Sequence, residues 1–517
     1  MYRVLDQPEF ADFYLPFGGK LDLQNRWVKL ASIIPWKTLE GDYSLHFADS
    51  GMGAPALSCR IALGALIIKE RLTLTDEETV AQIRENPYLQ YFLGLREYLQ
   101  ENLFDPSMMV HFRKRISPEM LKRVNNAIIT QNQPTQNTNP NDPSNPPHNH
   151  DDPTAPPLPP PASSETPPTP APNNGKLLID ATCTPADITY PTDLKLLNEA
   201  REKSEHIIDV LHRTLPHKTP KPRTYRQKAR KDYLNLVLNK KPKPNKIRTA
   251  IGKQLRYLKR NLGHINQLLD NGAQLHRLKR YWRKCLMVIH TLYDQQNHMY
   301  QNRIHRVDDR IVSISQPHIR PIVRGKAAQS VEFGAKISVS YVNGYVTLHR
   351  ISYDAYNETN DLPQQAETYR KTYGCYPQSI HADKIYQTRA NRAWCKERDI
   401  RLSGKPLGRP RQMSAEEKKQ QRRDETDRIP IEGKFGNSKR KGTLDRIMAK
   451  LADTGLTVIG VGILVMNLDH LLRQLCALIG RLIITLELPR LNNQRTKDHT
   501  SRFLSKWHMP PAAYCAA

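Results

Sequence analysis

The sequence lacks the features of a disulfide-stapled, secreted or membrane-spanning chain. Its seven cysteines are scattered, odd in number and without a CxxC pair, which argues against a disulfide framework and fits a reducing compartment. The N-terminus lacks the basic-then-apolar layout of a signal peptide. The longest apolar run, Leu456 to Leu468, is too short to cross a bilayer and predicts a buried segment. We therefore expect a cytoplasmic protein that does not use a membrane.

Acidic residues are scarce relative to basic ones. The 51 Asp and Glu residues stand against 78 Lys and Arg residues, which gives a net charge of +27. A chain with this excess repels itself unless a polyanion neutralises it, and nucleic acid is the usual polyanion. A ribosomal or merely soluble basic protein is the plainer alternative. The length of 517 residues is enough for two to four domains.

Composition divides the chain into four predicted parts. Residues 1–130 are predicted to form a helical domain for DNA binding or dimerisation, with a helix-turn-helix-like pair whose second helix is capped by Thr75. Residues 131–175 hold fifteen of the 39 prolines and no Lys or Arg, which predicts a disordered, semi-rigid linker. Residues 176–490 are predicted to form the catalytic domain, and residues 491–517 a polar tail.

A strongly basic stretch interrupts the predicted catalytic domain at residues 194–310. Within residues 217–260, sixteen Lys or Arg residues accompany a single acid, Asp232, and tyrosines are interleaved. A charge run is usually a solvated face, but one this dense and one-signed favours contact with phosphates. We expect a helical insertion that binds DNA.

Around this insertion, strand-like and helix-like patterns alternate. Apolar runs lead into Asp180 and Asp383, so each acid is predicted at the tip of a strand. Strand-like segments between residues 310 and 353 include a hairpin signal at Asn343-Gly344. A charged helix from about residue 412 carries Glu432. A mixed sheet with two acids at strand tips and a third on a helix is how a ribonuclease-H-like fold builds a metal site.

Three such carboxylates suit a pair of Mg²⁺ ions, with Mn²⁺ able to substitute. Hard oxygen ligands are what Mg²⁺ prefers, and two ions about 3.5–4 Å apart can stabilise the attacking and leaving oxygens of a displacement at phosphorus. The competing acids lack an apolar lead-in and are predicted to sit in turns; they are Asp187, Asp193, Asp354 and Asp361.

Several motifs resemble those of bacterial insertion-sequence transposases of the fourth and fifth groups. The motifs are Leu177-Leu-Ile-Asp180-Ala-Thr, His381-Ala-Asp383-Lys-Ile-Tyr and an R-x3-E-x6-K pattern at Arg428, Glu432 and Lys439. The stretch from about Trp27 to Ile116 is similar to the helical N-terminal domain of that family, through Phe92-Leu-Gly-Leu and Phe112-Arg-Lys-Arg-Ile.

The resemblance implies that Asp180, Asp383 and Glu432 are a DDE triad in a ribonuclease-H-like α/β core, preceded by an all-α domain. It implies metal-dependent cleavage at transposon ends and strand transfer into target DNA. The expected partners are the terminal inverted repeats and the target DNA, bound by a homodimer or larger assembly at the nucleoid.

Basic residues near the acids are predicted to contact DNA phosphates: Lys439, Arg428, Lys384, Arg389, Arg392, Lys405 and Arg409. Two departures from the family pattern stand out. Glu425 occupies the position where the family usually has Tyr, and Pro430 disfavours helix at Ile429, so Arg428 is expected to precede the helix.

Two other functions stay open at this point. The first is a nuclease or junction resolvase that uses the same fold without strand transfer. The second is a catalytically silent, transposase-derived protein that only binds DNA, although all three acids are present.

Overall fold

The structure is a computed structural model that describes residue 15 and residues 19–47, 55–132, 172–215, 219–323, 331–404 and 413–492, with side chains as far as residue 478. The predicted linker and polar tail lie almost wholly outside the described residues, as do Lys405 and Arg409. The described parts form a mixed α/β protein with six strands and fifteen α-helices.

The described N-terminal part is helical, as the sequence predicted, and it contains seven helices. They are α1 (Arg26–Ile33), α2 (Trp36–Ser44), α3 (Cys59–Leu72), α4 (Asp76–Glu85), α5 (Pro87–Phe92), α6 (Met108–Arg115) and α7 (Pro118–Gln131). The Thr75 hydroxyl accepts the Glu78 N–H at 3.1 Å, which confirms the predicted cap of α4.

The insertion is helical and has a hydrophobic core of its own. After β1 (Lys176–Pro185), its helices are α8 (Asp193–His212), α9 (Arg226–Val237), α10 (Pro244–Asp270) and α11 (Arg280–Asn302). Leucine and isoleucine side chains of α8, α10 and α11, among them Leu197, Leu258 and Ile289, bury one another. This separate core leaves most of the basic residues at the surface of the insertion, while Arg201 is buried and paired with Glu205.

The remaining elements complete one sheet and its covering helices. They are β2 (Arg320–Val323), β3 (Val331–Val342), β4 (Tyr345–Ser352), α12 (Leu362–Tyr373), β5 (Ser379–Ala382), α13 (Arg389–Glu397), β6 (Arg401–Leu402), α14 (Ala415–Lys441) and α15 (Ala452–Asn492).

The sheet has the order β2-β3-β1-β5-β6, and β4 pairs with the same long strand β3. Strands β1, β2 and β4 run antiparallel to β3, whereas β5 is parallel to β1 and β6 is parallel to β5. The predicted hairpin joins β3 to β4, because Asn343 and Gly344 both have positive φ. The sheet is therefore mixed, as expected.

Helices cover both faces of the sheet. Ile179 and Ile380 pack with α12 and α13 on one face, which we term the α12 core. Leu178, Ile337 and Val339 pack with α14 and α15 on the other face, which we term the α14 core. Successive residues of a strand point to opposite faces, so each strand contributes to both cores.

Three local predictions were wrong. Residues 311–315 form no strand, and their buried apolar side chains instead help to close the insertion core. Asp180 does not end its strand, because β1 continues to Pro185. Helix α14 runs unbroken through Pro430, so Arg428 lies inside it. Burial of Ile431 and Phe435 after the proline outweighs the lost helix hydrogen bond.

The N-terminal helices share a core with α15. Leu464 and Leu468 of α15 are fully buried among residues of α3, α6 and α7. The side chain of Asn467 donates to the Val346 carbonyl of β4 at 2.7 Å and contacts Asn125 of α7 at 2.6 Å. These bonds fix the N-terminal helices against the sheet, while the division into domains at residues 130 and 176 stays a prediction.

One helix in the described part of the chain, Ala452–Leu478, is long and apolar enough to cross a membrane by length and composition. However, 72% of its most apolar window is buried within the protein. The N-terminal helices and the sheet pack against its apolar surface, so it is a core helix.

Candidate active site

Strand alternation places two of the three predicted acids side by side. In β1, Ile179 packs in the α12 core, so Asp180 faces the opposite side of the sheet, toward α14. In β5, Ala382 packs in the same core, and Asp383 follows it. Ile179 pairs with Ala382 in parallel register, which puts Asp180 and Asp383 next to each other on neighbouring strands.

The third acid reaches the same place from α14. The guanidinium of Arg428 has Nη1 at 3.6 Å from Asp383 Oδ1 and Nη2 at 3.6 Å from Glu432 Oε1. Its charge also acts on Asp180. All three acids therefore surround one arginine, which lies one helical turn before Glu432 on the same face of α14.

The three carboxyls differ in their environments. The side chains of Asp383 and Glu432 are 58% and 61% exposed. Asp180 is more buried, and burial raises the pKa of its carboxyl to about 6, against the opposing effects of the Ala181 N–H and Arg428. The Ala181 N–H donates to Asp180 Oδ1 at 2.8 Å. A nearby cation would therefore stabilise the charged form of Asp180 more than that of the other two acids.

The donor set fits a hard divalent cation. Three carboxylates offer only oxygen ligands, and two of them are open to solvent on one side. Arg428 already pairs with these two, Asp383 and Glu432, and balances one of their two negative charges. A cation between them would have to displace the guanidinium, so the acids could hold metal only with Arg428 turned elsewhere, for example toward a phosphate.

The basic residues predicted to contact DNA fall into two groups. Lys384 and Arg389 are exposed just after Asp383, where a phosphate could reach them. Lys439 is directed inward instead, and its Nζ donates to the Cys183 carbonyl of β1 at 2.7 Å. Lys439 therefore ties the end of α14 to the strand that carries Asp180.

A second polar cluster lies on the same face and was not predicted. In the described part of the chain, the one set of His, Cys, Asp or Glu with ligand atoms all within 4.8 Å of one another is His381, Asp424 and Asp427. His381 is fully buried, with Nδ1 at 3.8 Å from Asp424 Oδ1 and Nε2 at 4.0 Å from Asp427 Oδ2. We term it the His381 network.

The His381 network is already balanced in charge. Arg401 donates two bonds to Asp424, at 2.8 and 2.9 Å, and Lys176 lies 2.7 Å from Asp427. Burial lowers the pKa of His381, so the ring is neutral at physiological pH. With both carboxylates neutralised, the network fits a structural role that docks α14 onto β5 better than a metal site. One feature of the sequence could have indicated this cluster. His381 lies two residues before Asp383, so strand alternation places both side chains on the face of the sheet that α14 covers.

A basic cleft of about 1250 Å³ opens beside this network. We term it the β6 cleft. Its cationic lining residues are Lys176, Arg392, Lys396, Arg401, Lys419, Arg422 and Arg423, with Asp399 and Asp427 as its acids. Of the predicted DNA contacts that the structure describes, only Arg392 lines this cleft. Arg422 and Arg423 were not predicted; they line the cleft because α14 packs beside β5 and β6.

The competing acids are each engaged elsewhere. Asp187 pairs with Arg446, Asp193 with Arg310 and Asp361 with Arg350, while exposed Asp354 lies 4.0 Å from Arg320. These pairs support the prediction that the four acids are structural.

Comparisons with known proteins match both ends of the described chain. The family model described as Transposase DDE domain matches residues 380–469, which include Asp383 and Glu432 but not Asp180. The family model described as Transposase domain matches residues 16–115, a stretch that contains helices α1 to α6.

One curated relative is the uncharacterized protein ORF8 in the nfe locus of Rhizobium meliloti. It is 33% identical over 125 residues, which cover 22% of this chain and 59% of the relative. The chain therefore spans less than two thirds of the length of that relative. No solved structure matched the chain. The matches to a transposase domain near the N-terminal end and to a transposase DDE domain at residues 380–469 confirm the resemblance to DDE transposases of insertion sequences that the sequence motifs indicated.

Proposed function

We propose that this protein is a transposase that cleaves DNA at transposon ends and joins the cleaved ends to target DNA, with Asp180, Asp383 and Glu432 as its catalytic acids. The observation that carries the proposal is the arrangement of the three acids around Arg428, two on adjacent parallel strands and one on the covering helix. We also propose that the sheet is a ribonuclease-H-like core, on the support of its antiparallel β1, β3 and β4 with β5 and β6 parallel to β1.

Two Mg²⁺ ions, when bound, would supply the stabilisation of the attacking and leaving oxygens. The chain's own residues would orient the phosphate. Asp180 offers a desolvated carboxyl with a raised pKa, so it binds a cation in competition with a proton. Arg428 can exchange its two carboxylate partners for a DNA phosphate, which couples DNA binding to release of Asp383 and Glu432.

DNA is proposed to run from the acids into the β6 cleft. Among the described residues, Lys396, Lys419, Arg422 and Arg423 pair with no acid, so they are free to neutralise phosphates. Lys384 and Arg389 lie at the start of this path. Lys405 and Arg409, outside the described residues, are also proposed to contact DNA phosphates. The helical insertion and the N-terminal helices would hold the terminal repeats, in a homodimer or larger assembly at the nucleoid.

The test uses the full chain and duplex oligonucleotides with the sequences that flank the coding region. We expect Mg²⁺-dependent nicking of the intact ends, and strand transfer of precleaved ends into plasmid DNA. Asp383→Asn should lose both activities by at least about 100-fold while it retains DNA binding. Asp445→Asn is the matched control, because Asp445 is an exposed aspartate away from the site.

The other two functions are separable outcomes of the same test. Nicking without strand transfer would support a nuclease and overturn the transposition step. DNA binding without nicking in Mg²⁺ or Mn²⁺ would support a catalytically silent DNA-binding protein.

A further inference from the structure

A small cavity of about 150 Å³ lies on the far side of α14 from the acids. Lys434 follows Glu432 by two residues and so points to the opposite side of the helix, toward α3 and α15. The cavity is lined by four cations, Arg71, Lys434, Lys441 and Arg473. We term it the Lys434 pocket.

The two acids in the Lys434 pocket, Glu70 and Asp469, already accept hydrogen bonds from Thr443 and Arg71. Asp469 accepts from Arg71 Nε at 2.8 Å. Glu70 accepts the N–H and the hydroxyl of Thr443, at 3.2 and 2.5 Å. Among the described residues, neither acid accepts a hydrogen bond from Lys434, Lys441 or Arg473, although the charge of Asp469 acts on Lys434.

Two donors of the pocket are buried without a hydrogen-bond partner among the described residues. They are Lys434 Nζ and Arg71 Nη1. Burial and the neighbouring Arg473 lower the pKa of Lys434 to about 8. A buried ammonium without a partner is costly, and an anion placed between the two donors removes that cost.

We propose that the Lys434 pocket binds an oxyanion of the phosphate type. Its volume of about 150 Å³ is roughly five times the share of one water molecule in the liquid, which suits an ion of five heavy atoms. Arg71 offers a planar fork and Lys434 a point charge, a pair of donors that suits tetrahedral oxygens. Such an anion would join α3 of the N-terminal part to α14 and α15.

The first measurement is thermal unfolding of the full chain without metal or DNA, in phosphate and in chloride at equal ionic strength. We expect about 10 mM phosphate to raise the Tm of the wild type by about 5 °C. Lys434→Met should abolish this shift, and its Tm in chloride should equal or exceed that of the wild type. Lys418→Met, an exposed lysine of α14 outside both cavities, should keep the full shift.

The phosphate can come from solution or from a DNA backbone, and a salt titration of DNA binding distinguishes the sources. If DNA fills the pocket, Lys434→Met should reduce the salt dependence by about one phosphate contact, and inorganic phosphate should compete. If free phosphate fills it, the salt dependence should be unchanged. Equal Tm shifts in the wild type and Lys434→Met, or no shift in the wild type, would overturn the proposal. Because no step uses metal or cleavage, this result is independent of the proposed transposition chemistry.

Discussion

Arg428 lies between Asp383 and Glu432, with its Nη1 3.6 Å from Asp383 Oδ1 and its Nη2 3.6 Å from Glu432 Oε1. It therefore competes with a cation for both carboxylates. Arg428 is also the first residue of the R-x3-E-x6-K pattern. Its contacts give that position of the motif a physical role, which is to place a positive charge between two carboxylates.

The first prediction concerns this competition. Arg428→Ala should bind Mn²⁺ about 10-fold more tightly than the wild type without DNA, because two carboxylates lose their competing partner. Isothermal titration with Mn²⁺ measures the affinity. Arg422→Ala removes an exposed arginine of the same helix and should leave it unchanged. Weaker Mn²⁺ binding in Arg428→Ala would show that the guanidinium does not occupy the cation's place.

The second prediction concerns Asp180 and pH. Because burial raises the pKa of its carboxyl to about 6, the folded protein holds this proton to higher pH than the unfolded chain. Burial of the charged Asp180 carboxylate therefore lowers the free energy of unfolding. This loss of stability is fully present above pH 6 and disappears as the pH falls below 3.8, the ordinary pKa of an aspartate. Asp180→Asn should therefore be more stable than the wild type by about 2 kcal/mol at pH 8, and by much less at pH 4.

Urea unfolding at both pH values measures the difference, with Asp445→Asn as the control that should show none. An Asp180→Asn variant that is less stable than the wild type at pH 8 would mean that the carboxylate is already well paired in the folded protein.

The sequence predicted that Asp180, Asp383 and Glu432 lie near one another, which the structure shows, while their catalytic role stays a proposal. It predicted the backbone that carries them less well. Apolar lead-ins located Asp180 and Asp383, and the motif located Glu432, because these signals are local. The unbroken helix through Pro430 was not predictable, since it depends on burial of Ile431 and Phe435 against residues far away in sequence. The β6 cleft likewise depends on how α14 packs across β5 and β6.

The third prediction concerns the His381 network. Burial alone would raise the pKa of Asp424, but the bonds from Arg401 and Gln420 outweigh it and hold that pKa below its ordinary value. Asp424→Asn should lower the free energy of unfolding by about 1–3 kcal/mol at pH 7. The contribution of this carboxylate is lost as the pH falls through its lowered pKa, so the difference should shrink in acid.

Asp427→Asn is the comparison, because its partner Lys176 is 54% exposed and screened by solvent. It should cost less than about 1 kcal/mol. A larger loss in Asp427→Asn than in Asp424→Asn, measured by the same urea titration, would contradict the expectation that the more buried ion pair of the His381 network contributes more to stability.

The fourth prediction concerns the buried contact between α15, α7 and β4. The Asn467 side chain accepts the Val346 N–H at 2.8 Å and donates to the Val346 carbonyl. Asn467→Ala leaves that buried N–H unpaired and should cost about 2–4 kcal/mol in urea unfolding. Asn235→Ala, at an exposed position of α9, should stay within about 0.5 kcal/mol of the wild type. If Asn467→Ala were equally stable, this contact would not hold the N-terminal helices to the sheet.

The last prediction is that alanine has opposite effects on stability at two helical glycines, Gly433 and Gly462. A Cβ at Gly433, beside Glu432 in α14, would meet no atom within 4 Å. Gly433→Ala should therefore stabilise the protein by about 1 kcal/mol, because alanine loses less backbone freedom in a helix. A Cβ at Gly462 in α15 would lie 3.0 Å from Leu444 Cδ2 and 3.3 Å from Glu70 Oε1, so Gly462→Ala should destabilise it. Thermal unfolding of both variants checks the opposite signs, and a destabilising Gly433→Ala would mean that α14 needs its flexibility next to Glu432, the proposed catalytic acid.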